Sequence, residues 1–381
     1  MADSLPLELL DRVFDHLGVT NYYGRRSIAR SGLVCKSWGV ASRYQLFRDV
    51  TLNERNMISF LSVTSKSSFP IPGVIRSLEL ASGREDRALS MNIPRLGALP
   101  LITTLRVTMN ERVFAKNLPL LKELFPGVLN LTLLNSDLSL ATILTAADSF
   151  EKLKSLTLSW VYIPNHELPT VNNAHPNWSS LFVDLVSHPR PEKKDRSQEI
   201  YNSDPPPVIT TSEHLFAALL KLKSPPDLTA LSVRAYDPSK GAEFGAFLKK
   251  HGNQLQRLTI ETERHDFEHL PALTFCTALR ELKVVFNFHG HTPMSQKILK
   301  TLQNVVARSL KTITFVDLYG APTRVSDENK WSDIDELLSQ DEVFVSLELF
   351  MFKTSNESVG NQVASEMQLC TKRGIFRVEG L

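Results

Sequence analysis

The residues with the greatest capacity for chemistry in this sequence are two closely spaced histidines and one cysteine. His289 and His291 form a His-x-His pair, but no third metal ligand lies near them in the sequence, and a zinc site needs three or four protein ligands. Cys276 could serve as a nucleophile beside a histidine, yet no spacing fixes such a dyad, and a buried structural thiol is the simpler interpretation. The sequence therefore predicts no metal, no cofactor, no catalytic residues and no enzymatic activity.

Composition and charge narrow the class of protein further. The sequence has no glycine-rich phosphate loop and no Gly-x-Ser-x-Gly elbow. Its 43 basic and 41 acidic residues give a net charge of +2, and the basic residues are scattered, so no nucleic-acid partner is expected. No apolar run reaches the roughly 18 residues of a membrane span, and no secretory signal is recognisable. Together with three widely separated cysteines, this favours a cytoplasmic or nuclear protein without a membrane partner.

Two differently patterned regions divide the chain near residue 50. The first predicts three short helices: one after Pro6, one over Arg25–Val34, and one from Ser37 onwards. Their apolar residues include Leu5, Leu9, Leu10, Val13, Phe14, Leu17, Leu33, Val34, Trp38 and Phe47. Three helices of about ten residues cannot bury all of these side chains in a core of their own. The remaining apolar surface must be covered either by the rest of the chain or by a partner.

Beyond residue 70, short strands of the form apolar-x-x-Leu-x-apolar recur, with helical segments between them. The middle residues of nine copies are Leu78, Leu105, Leu131, Leu156, Leu181, Leu231, Leu258, Leu282 and Ile313, and a weaker copy lies at Leu347-x-Leu349. Most successive copies are about 26 residues apart, which is typical of a stacked repeat array. The charged, proline-rich residues 187–208 interrupt this period and predict a mobile insertion.

The predicted fold class is therefore α/β, in three parts. A short all-α region covers residues 1–50, and a connecting segment covers 51–73. Residues 74–381 form a curved solenoid, with a parallel sheet on the concave face and helices on the convex face.

The amino-terminal residues resemble a known family. Leu5-Pro6-x-Glu8-Leu9-Leu10-x-x-Val13-Phe14-x-x-Leu17, Leu33-Val34-Cys35-Lys36-x-Trp38 and Leu46-Phe47 are similar to the F-box. The pairing of an F-box with irregular leucine-rich repeats also resembles receptor families of fungi and plants. The resemblance implies the substrate receptor of a Skp-cullin-F-box ubiquitin ligase. Its partners would be a Skp-type adaptor, through it a cullin-RING ligase, and a target protein for ubiquitin-dependent degradation.

The resemblance also implies which residues bind the adaptor. They are Leu5, Pro6, Leu9, Leu10, Val13, Phe14, Leu33, Val34, Cys35 and Trp38. A cluster centred on Pro6, Leu10, Phe14 and Trp38 has the aromatic and aliphatic character of an interface hot spot. Packing among the three helices is an equally good explanation for each of these residues.

In the repeat region, strand alternation sends the leucines inward and the residues between them to the concave face. The residues predicted there to bind the target are Glu79, Arg106, Arg234, Arg257, Glu281 and Lys283, with Trp160 just past a strand end. Their mixed charge suits a protein or peptide ligand, and a merely solvated surface is the alternative for each residue. The alternative function is a protein-interaction scaffold outside ubiquitin transfer, with a divergent or decayed F-box.

Overall fold

The structure is a computed structural model of the chain. It describes residues 6–17, 22–66, 70–82, 86–163, 178–185, 211–222, 225–236, 242–262, 271–286, 293–318 and 330–381. Two compact units are present: Met1–Ser136 with Ala146–Leu153, and Asp137–Thr145 with Lys154–Leu381. Leu5, the histidine pair His289 and His291, and the predicted insertion at 187–208 lie outside the described residues.

The first unit begins with three helices and continues as strands that alternate with helices. Its helices are α1 (Leu7–Leu17), α2 (Tyr22–Ser31), α3 (Lys36–Arg48), α4 (Met57–Lys66), α5 (Asp86–Asn92) and α6 (Glu111–Leu124). Its strands are β1 (Asp49–Leu52), β2 (Ser77–Ala81), β3 (Thr104–Thr108) and β4 (Asn130–Leu134). Each strand pairs in parallel with the next one along the chain. Helix α7 (Leu140–Ser149) contains the boundary between the two units.

The described residues of the second unit include eight strands. They are β5 (Ser155–Val161), β6 (Ser180–Leu185), β7 (Ala230–Tyr236), β8 (Arg257–Thr262), β9 (Glu281–Phe286), β10 (Thr312–Asp317), β11 (Leu349–Thr354) and β12 (Phe376–Gly380). Its helices are α8 (Thr211–Lys221), α9 (Ala242–His251), α10 (Met294–Gln303), α11 (Trp331–Gln340), α12 (Glu357–Glu366) and α13 (Gln368–Lys372). The strands again pair in parallel in the order of the sequence. The α/β class with parallel strands is therefore confirmed.

The repeated apolar pattern explains why these strands align. Leu258 lies opposite Leu231 on one side and Leu282 on the other, and the middle residues of neighbouring strands keep this register across the unit. Successive side chains of a strand point to opposite faces. Within each unit the leucines and their equivalents consequently form continuous rows, and these residues are buried in each of the strands β2–β10. The residues between them remain on an open face of the sheet.

The structure adds two strands and shifts a third relative to the sequence analysis. Strand β1 uses Phe47-x-x-Val50-x-Leu52, so the strand-helix alternation starts one repeat earlier than predicted, and α4 lies in the segment treated as a connection. Strand β11 buries Phe350 and Phe352, not the predicted Leu349. Strand β12 pairs with β11 and was not predicted. Phenylalanine or valine replaces leucine in these copies, which is why a leucine-centred pattern misses them.

The second helix also differs from its prediction. It covers Tyr22–Ser31 and ends before Leu33, because the backbone N–H groups of Leu33 and Val34 turn back to the carbonyls of Arg30 and Ser31, at 3.0 Å each. None of the helices in the described part of the chain combines the length and apolar character that crossing a membrane requires.

Candidate functional site

The three amino-terminal helices share a small apolar core. Leu10, Phe14, Ile28 and Ala41 are fully buried in it, and Trp38 and Leu46 pack against them. Phe14 meets Trp38 edge to face, with ring centroids 5.8 Å apart and an interplanar angle of 82°. This is a favourable arrangement of two aromatic rings. The core is thus large enough to hold α1, α2 and α3 together but absorbs only part of their apolar residues.

The turn between α2 and α3 presents the most exposed of these apolar residues. Leu33 is 85% exposed and Val34 is 56% exposed. The turn packs closely against α3 at Gly32, where a β-carbon would lie 2.5 Å from Ser42 Oγ, so a larger residue would displace this hydroxyl. Cys35 then adopts an extended conformation and begins α3. We call residues 32–35 the α2–α3 turn. Its backbone therefore holds two branched apolar side chains in solvent.

The structure separates the predicted adaptor-binding residues by burial. Pro6, Leu9, Val13, Leu33 and Val34 are exposed, Cys35 and Trp38 are half-buried, and Leu10 and Phe14 are 0% exposed. A fully buried side chain offers no surface to a partner, so Leu10 and Phe14 support the helices from within. The residues expected to centre the hot spot therefore do not share one exposed surface, because Leu10 and Phe14 are buried whereas Pro6 is exposed and Trp38 is half-buried.

Further exposed apolar residues lie on the same helices, outside the set predicted to bind the adaptor. Leu17, Tyr23, Val40 and Tyr44 also project into solvent. For Val40 and Tyr44, the signal was a repeat at helical spacing in α3, which alone does not tell a buried stripe from an exposed one. Several exposed apolar residues on one set of helices are a feature of interaction sites.

In the first unit, the open sheet face is lined by a polar row. Thr51, Glu79, Arg106 and Thr132 lie side by side across β1–β4, and Thr51 Oγ1 donates to Glu79 Oε2 at 3.2 Å. Strand register therefore brings together Glu79 and Arg106, two of the residues predicted to bind the target.

In the second unit, the open face contains a trough with a volume of about 360 Å³. The predicted residues Arg257, Glu281 and Lys283 all line it. Its other polar and aromatic lining residues are Ser180, Phe182, Ser232, Thr259, Thr312 and Thr314. Hydroxyl groups, one acid and two bases make this trough suited to hydrogen bonding along an extended ligand.

A charged cluster of Asp184, Arg234 and Glu261 lies near the carboxyl ends of β5–β8. We call this cluster the rim. Arg234 Nε donates to Glu261 Oε1 at 2.9 Å, and Arg234 Nη1 lies 3.4 Å from Asp184 Oδ2. Ser159 Oγ also donates to Asp184 Oδ2, at 3.5 Å. Burial raises the pKa of Asp184, although Arg234 acts in the opposite direction. The predicted Arg234 is thus shared between two carboxylates and does not face solvent as an unpaired cation.

Trp160 follows Ser159 in the chain and is exposed because β5 contains a bulge. Leu156 and Leu158 point inward, so strict alternation would bury residue 160 as well. The register shifts between Ser159 and Val161, Val161 takes the inward place with 0% exposure, and Trp160 is left 57% exposed. Its φ of 56° lies in the left-handed region, which costs a side chain such as this about 1–2 kcal/mol.

The preceding repeat shows what this position requires of the backbone. Asn135 follows β4 at the equivalent place and also has a positive φ, 46°. Asparagine tolerates this conformation far better than an aromatic residue. The geometry of the repeat therefore explains why this position has a positive φ. It does not explain why the position holds a tryptophan.

The candidate nucleophile of the sequence analysis is a buried thiol. Burial raises the pKa of Cys276 to about 12, and the same cause raises the pKa of Cys370 to about 12. Both are therefore protonated at neutral pH and unreactive. In the described ranges, no group of three or more His, Cys, Asp or Glu side chains is placed to hold a metal ion.

Comparison with known proteins yields no family assignment. No protein-family model matches the chain, and no curated protein matches it either. The fold and the arrangement of the sites described above are therefore the grounds for a functional proposal.

Proposed function

We propose that the chain is a non-catalytic substrate receptor of a Skp-cullin-F-box ubiquitin ligase. In this proposal the helices α1–α3 bind a Skp-type adaptor, and the open face of the parallel strands holds a target protein. The observation that carries the proposal is the α2–α3 turn, where Leu33 and Val34 are displayed at 85% and 56% exposure inside the Leu-Val-Cys-Lys-x-Trp motif.

The free energy available from burying the exposed apolar side chains of α1–α3 supports a partner at these helices. Burying an exposed Leu or Val side chain at an interface contributes roughly 1.5–3 kcal/mol, and α1–α3 display several such residues. A cluster of this kind is typical of interface cores. The small internal core stabilises the helices without using these residues, so the binding surface is already formed before a partner arrives.

The mechanism that follows is proximity. A target held on the strands would be presented to a ubiquitin-charged enzyme carried by the other subunits, which raises the effective concentration of the target's lysines. In this mechanism the chain itself would transfer no group.

The test is co-expression with a Skp-type adaptor and co-purification. We expect the wild type to co-purify and the double variant Leu33→Asp, Val34→Asp to bind on the order of 100-fold more weakly, because it places two charges in an apolar contact. The matched control is Val345→Asp, which changes a 72% exposed valine in a turn of the second unit. This control should bind like the wild type.

Two results would oppose the proposal. Full binding by the double variant would remove the α2–α3 turn from the adaptor site. A well-folded wild type that binds no Skp-type adaptor would overturn the receptor function and leave a protein-interaction scaffold in its place. Circular dichroism of each variant distinguishes lost contact from lost fold.

A further inference from the structure

Strand β12 lies at the edge of the second unit's sheet and has one open side. In the described residues it pairs with β11 and with no other strand. Hydrogen bonds to β11 use the carbonyl of Ile375, at 2.6 Å, and the N–H of Leu381, at 3.2 Å. Because the backbone groups of a strand alternate in direction, those of Phe376, Val378 and Gly380 point towards the open edge. An edge of this kind is a template for pairing with another strand.

The buried side of β12 is apolar and only partly covered. Phe376 and Val378 continue the rows of Phe350 and Phe352, which are fully buried, but Phe376 and Val378 are half-buried. At Gly380, a β-carbon would meet no atom within 4 Å. The last repeat of a stacked array normally ends in a polar surface. This repeat instead ends in apolar side chains whose burial a further strand would complete.

The open face of β12 carries one charge of each sign. Glu379 Oε2 lies 2.6 Å from Lys353 Nζ, and Glu379 Oε1 lies 3.7 Å from Arg377 Nη1. The hydrogen bond from Lys353 lowers the pKa of Glu379, so this carboxylate is charged at neutral pH. The side chain of Arg377 is 63% exposed. A cation and an anion therefore stand on the same face, two positions apart along the edge strand.

These features make the edge complementary to itself. Two copies of one edge strand related by a two-fold axis pair antiparallel, and each residue then meets the same partner from either side. A pairing centred on Val378 uses the outward backbone groups of Phe376, Val378 and Gly380 in both copies. It sets the half-buried ring of Phe376 opposite the open space at Gly380 of the second copy, and an aromatic ring over an edge glycine is a favourable cross-strand pair.

Charge selects the same register. The pairing centred on Val378 places Arg377 opposite Glu379 of the second copy, at a pair where the two strands exchange no hydrogen bonds and the side chains lie closest. Sliding the strands by two residues would set either two Arg377 or two Glu379 side chains against each other. Opposite charges in cross-strand pairs are stabilising, whereas like charges directly opposite are destabilising.

We propose that two copies of this chain associate through β12, paired antiparallel about a two-fold axis at Val378. The sheet of the second unit then continues from one copy into the other. This inference goes beyond the proposed function and does not depend on it, because it uses none of the residues assigned to the adaptor or the target. In the proposed function, such a dimer would offer two target-binding faces at once.

The experiment is sedimentation velocity of the full chain over a concentration series from about 1 to 200 µM. We expect the wild type to show a concentration-dependent equilibrium between monomer and dimer. Arg377→Glu and Glu379→Arg should each weaken the dimer at least about tenfold, because each change sets like charges opposite one another. The matched control is Lys283→Glu, which reverses a charge on the open face of β9 and should dimerise like the wild type.

Mixing the two charge-reversal variants provides the decisive measurement. One copy then carries two acids at positions 377 and 379 and the other carries two bases, so the antiparallel pairing is complementary again. We expect the mixture to dimerise although each variant alone does not, and this recovery also shows that both variants are folded. Val378→Pro removes an N–H that faces the open edge and keeps the hydrogen bonds to β11, and it should weaken the dimer as well.

Three results would overturn the inference. They are a wild type that stays monomeric throughout the series, a dimer that Arg377→Glu leaves intact, and a mixture of the two charge-reversal variants that stays monomeric. The adaptor assay examines α1–α3, whereas sedimentation of the chain alone examines β12. The failure of one proposal is therefore distinguishable from the failure of the other.

Discussion

The helical region α1–α3 and the strands β5–β12 handle apolar residues in opposite ways. The helices bury a small cluster around Phe14 and leave Leu33 and Val34 in solvent. The strands hide row after row of apolar side chains and expose mostly hydroxyl and charged groups. The two regions therefore present different kinds of contact: the helices offer apolar area, whereas the sheet face offers hydrogen-bonding groups and charge.

The first way to test this comparison is to create a cavity in the buried apolar row of the sheet. Phe315 is fully buried and lies 6.0 Å from the ring of Phe286 and 5.9 Å from that of Phe350. Phe315→Ala should lower the free energy of unfolding by about 3–5 kcal/mol, as measured by urea denaturation. Thr314→Ala, on the open face of the same strand, should change it by no more than about 0.5 kcal/mol. Similar losses for both variants would contradict the assignment of faces.

A second variant tests whether the small helical core is separate. Phe14→Ala removes the ring that packs against Trp38 and should destabilise α1–α3 by about 3 kcal/mol. We expect faster hydrogen exchange in these helices and unchanged exchange in β5–β12, since stability is local. The control is Val13→Ala, which truncates an exposed neighbour. Faster exchange throughout the second unit would show that the two regions unfold together.

The buried thiols sharpen the comparison through pH. The pKa of Cys276 and of Cys370 is about 12 in the folded chain against an ordinary value of 9.0. Burial favours the neutral thiol, so its contribution to stability is complete below pH 9 and is lost as the pH rises towards 12. The free energy of unfolding should therefore fall over this range.

Labelling with a thiol reagent at pH 8 provides a second measurement. We expect Cys35, which is half-buried beside the α2–α3 turn, to react first, and Cys276 and Cys370 to react only after denaturation. Mass spectrometry of the native protein identifies the labelled residue. Rapid labelling of Cys276 would contradict the burial of this part of the sheet region.

The smallest effect on stability is expected at the α2–α3 turn. The double variant Leu33→Asp, Val34→Asp should change the free energy of unfolding by no more than about 0.5 kcal/mol, because both side chains are already in solvent. Thermal denaturation measures this. A large loss would mean that the turn is part of the core and would weaken its assignment as a binding surface.

Much of the fold could be predicted from the sequence because each repeat is recognised by the spacing of its apolar residues within a short segment. Strands β2–β10 each contain one predicted copy, and α1–α3 lie close to their predicted places. Strand β1 was missed because Val50 follows directly on a helical pattern, and β11 was shifted because Phe350 and Phe352 replace leucine. Three residues that line the trough, Arg257, Glu281 and Lys283, were also predicted, since alternation along a strand assigns them to one face.

Other features depend on neighbours that are distant in the chain. Arg234 pairs with Glu261, 27 residues away, and with Asp184, 50 residues away, and no local pattern connects the three residues. Leu10 and Leu33 look alike in the sequence, and only packing places one in the core and the other in solvent.

The sequence by itself thus determined the α/β class, the repeat and the polar face, because periodicity acts within one strand or helix. The tertiary structure decided which apolar residues stay exposed, how the charges pair, and where Trp160 points. These depend on strand register and on a single bulge, and an insertion of one residue in a strand reverses the face on which the following side chains lie.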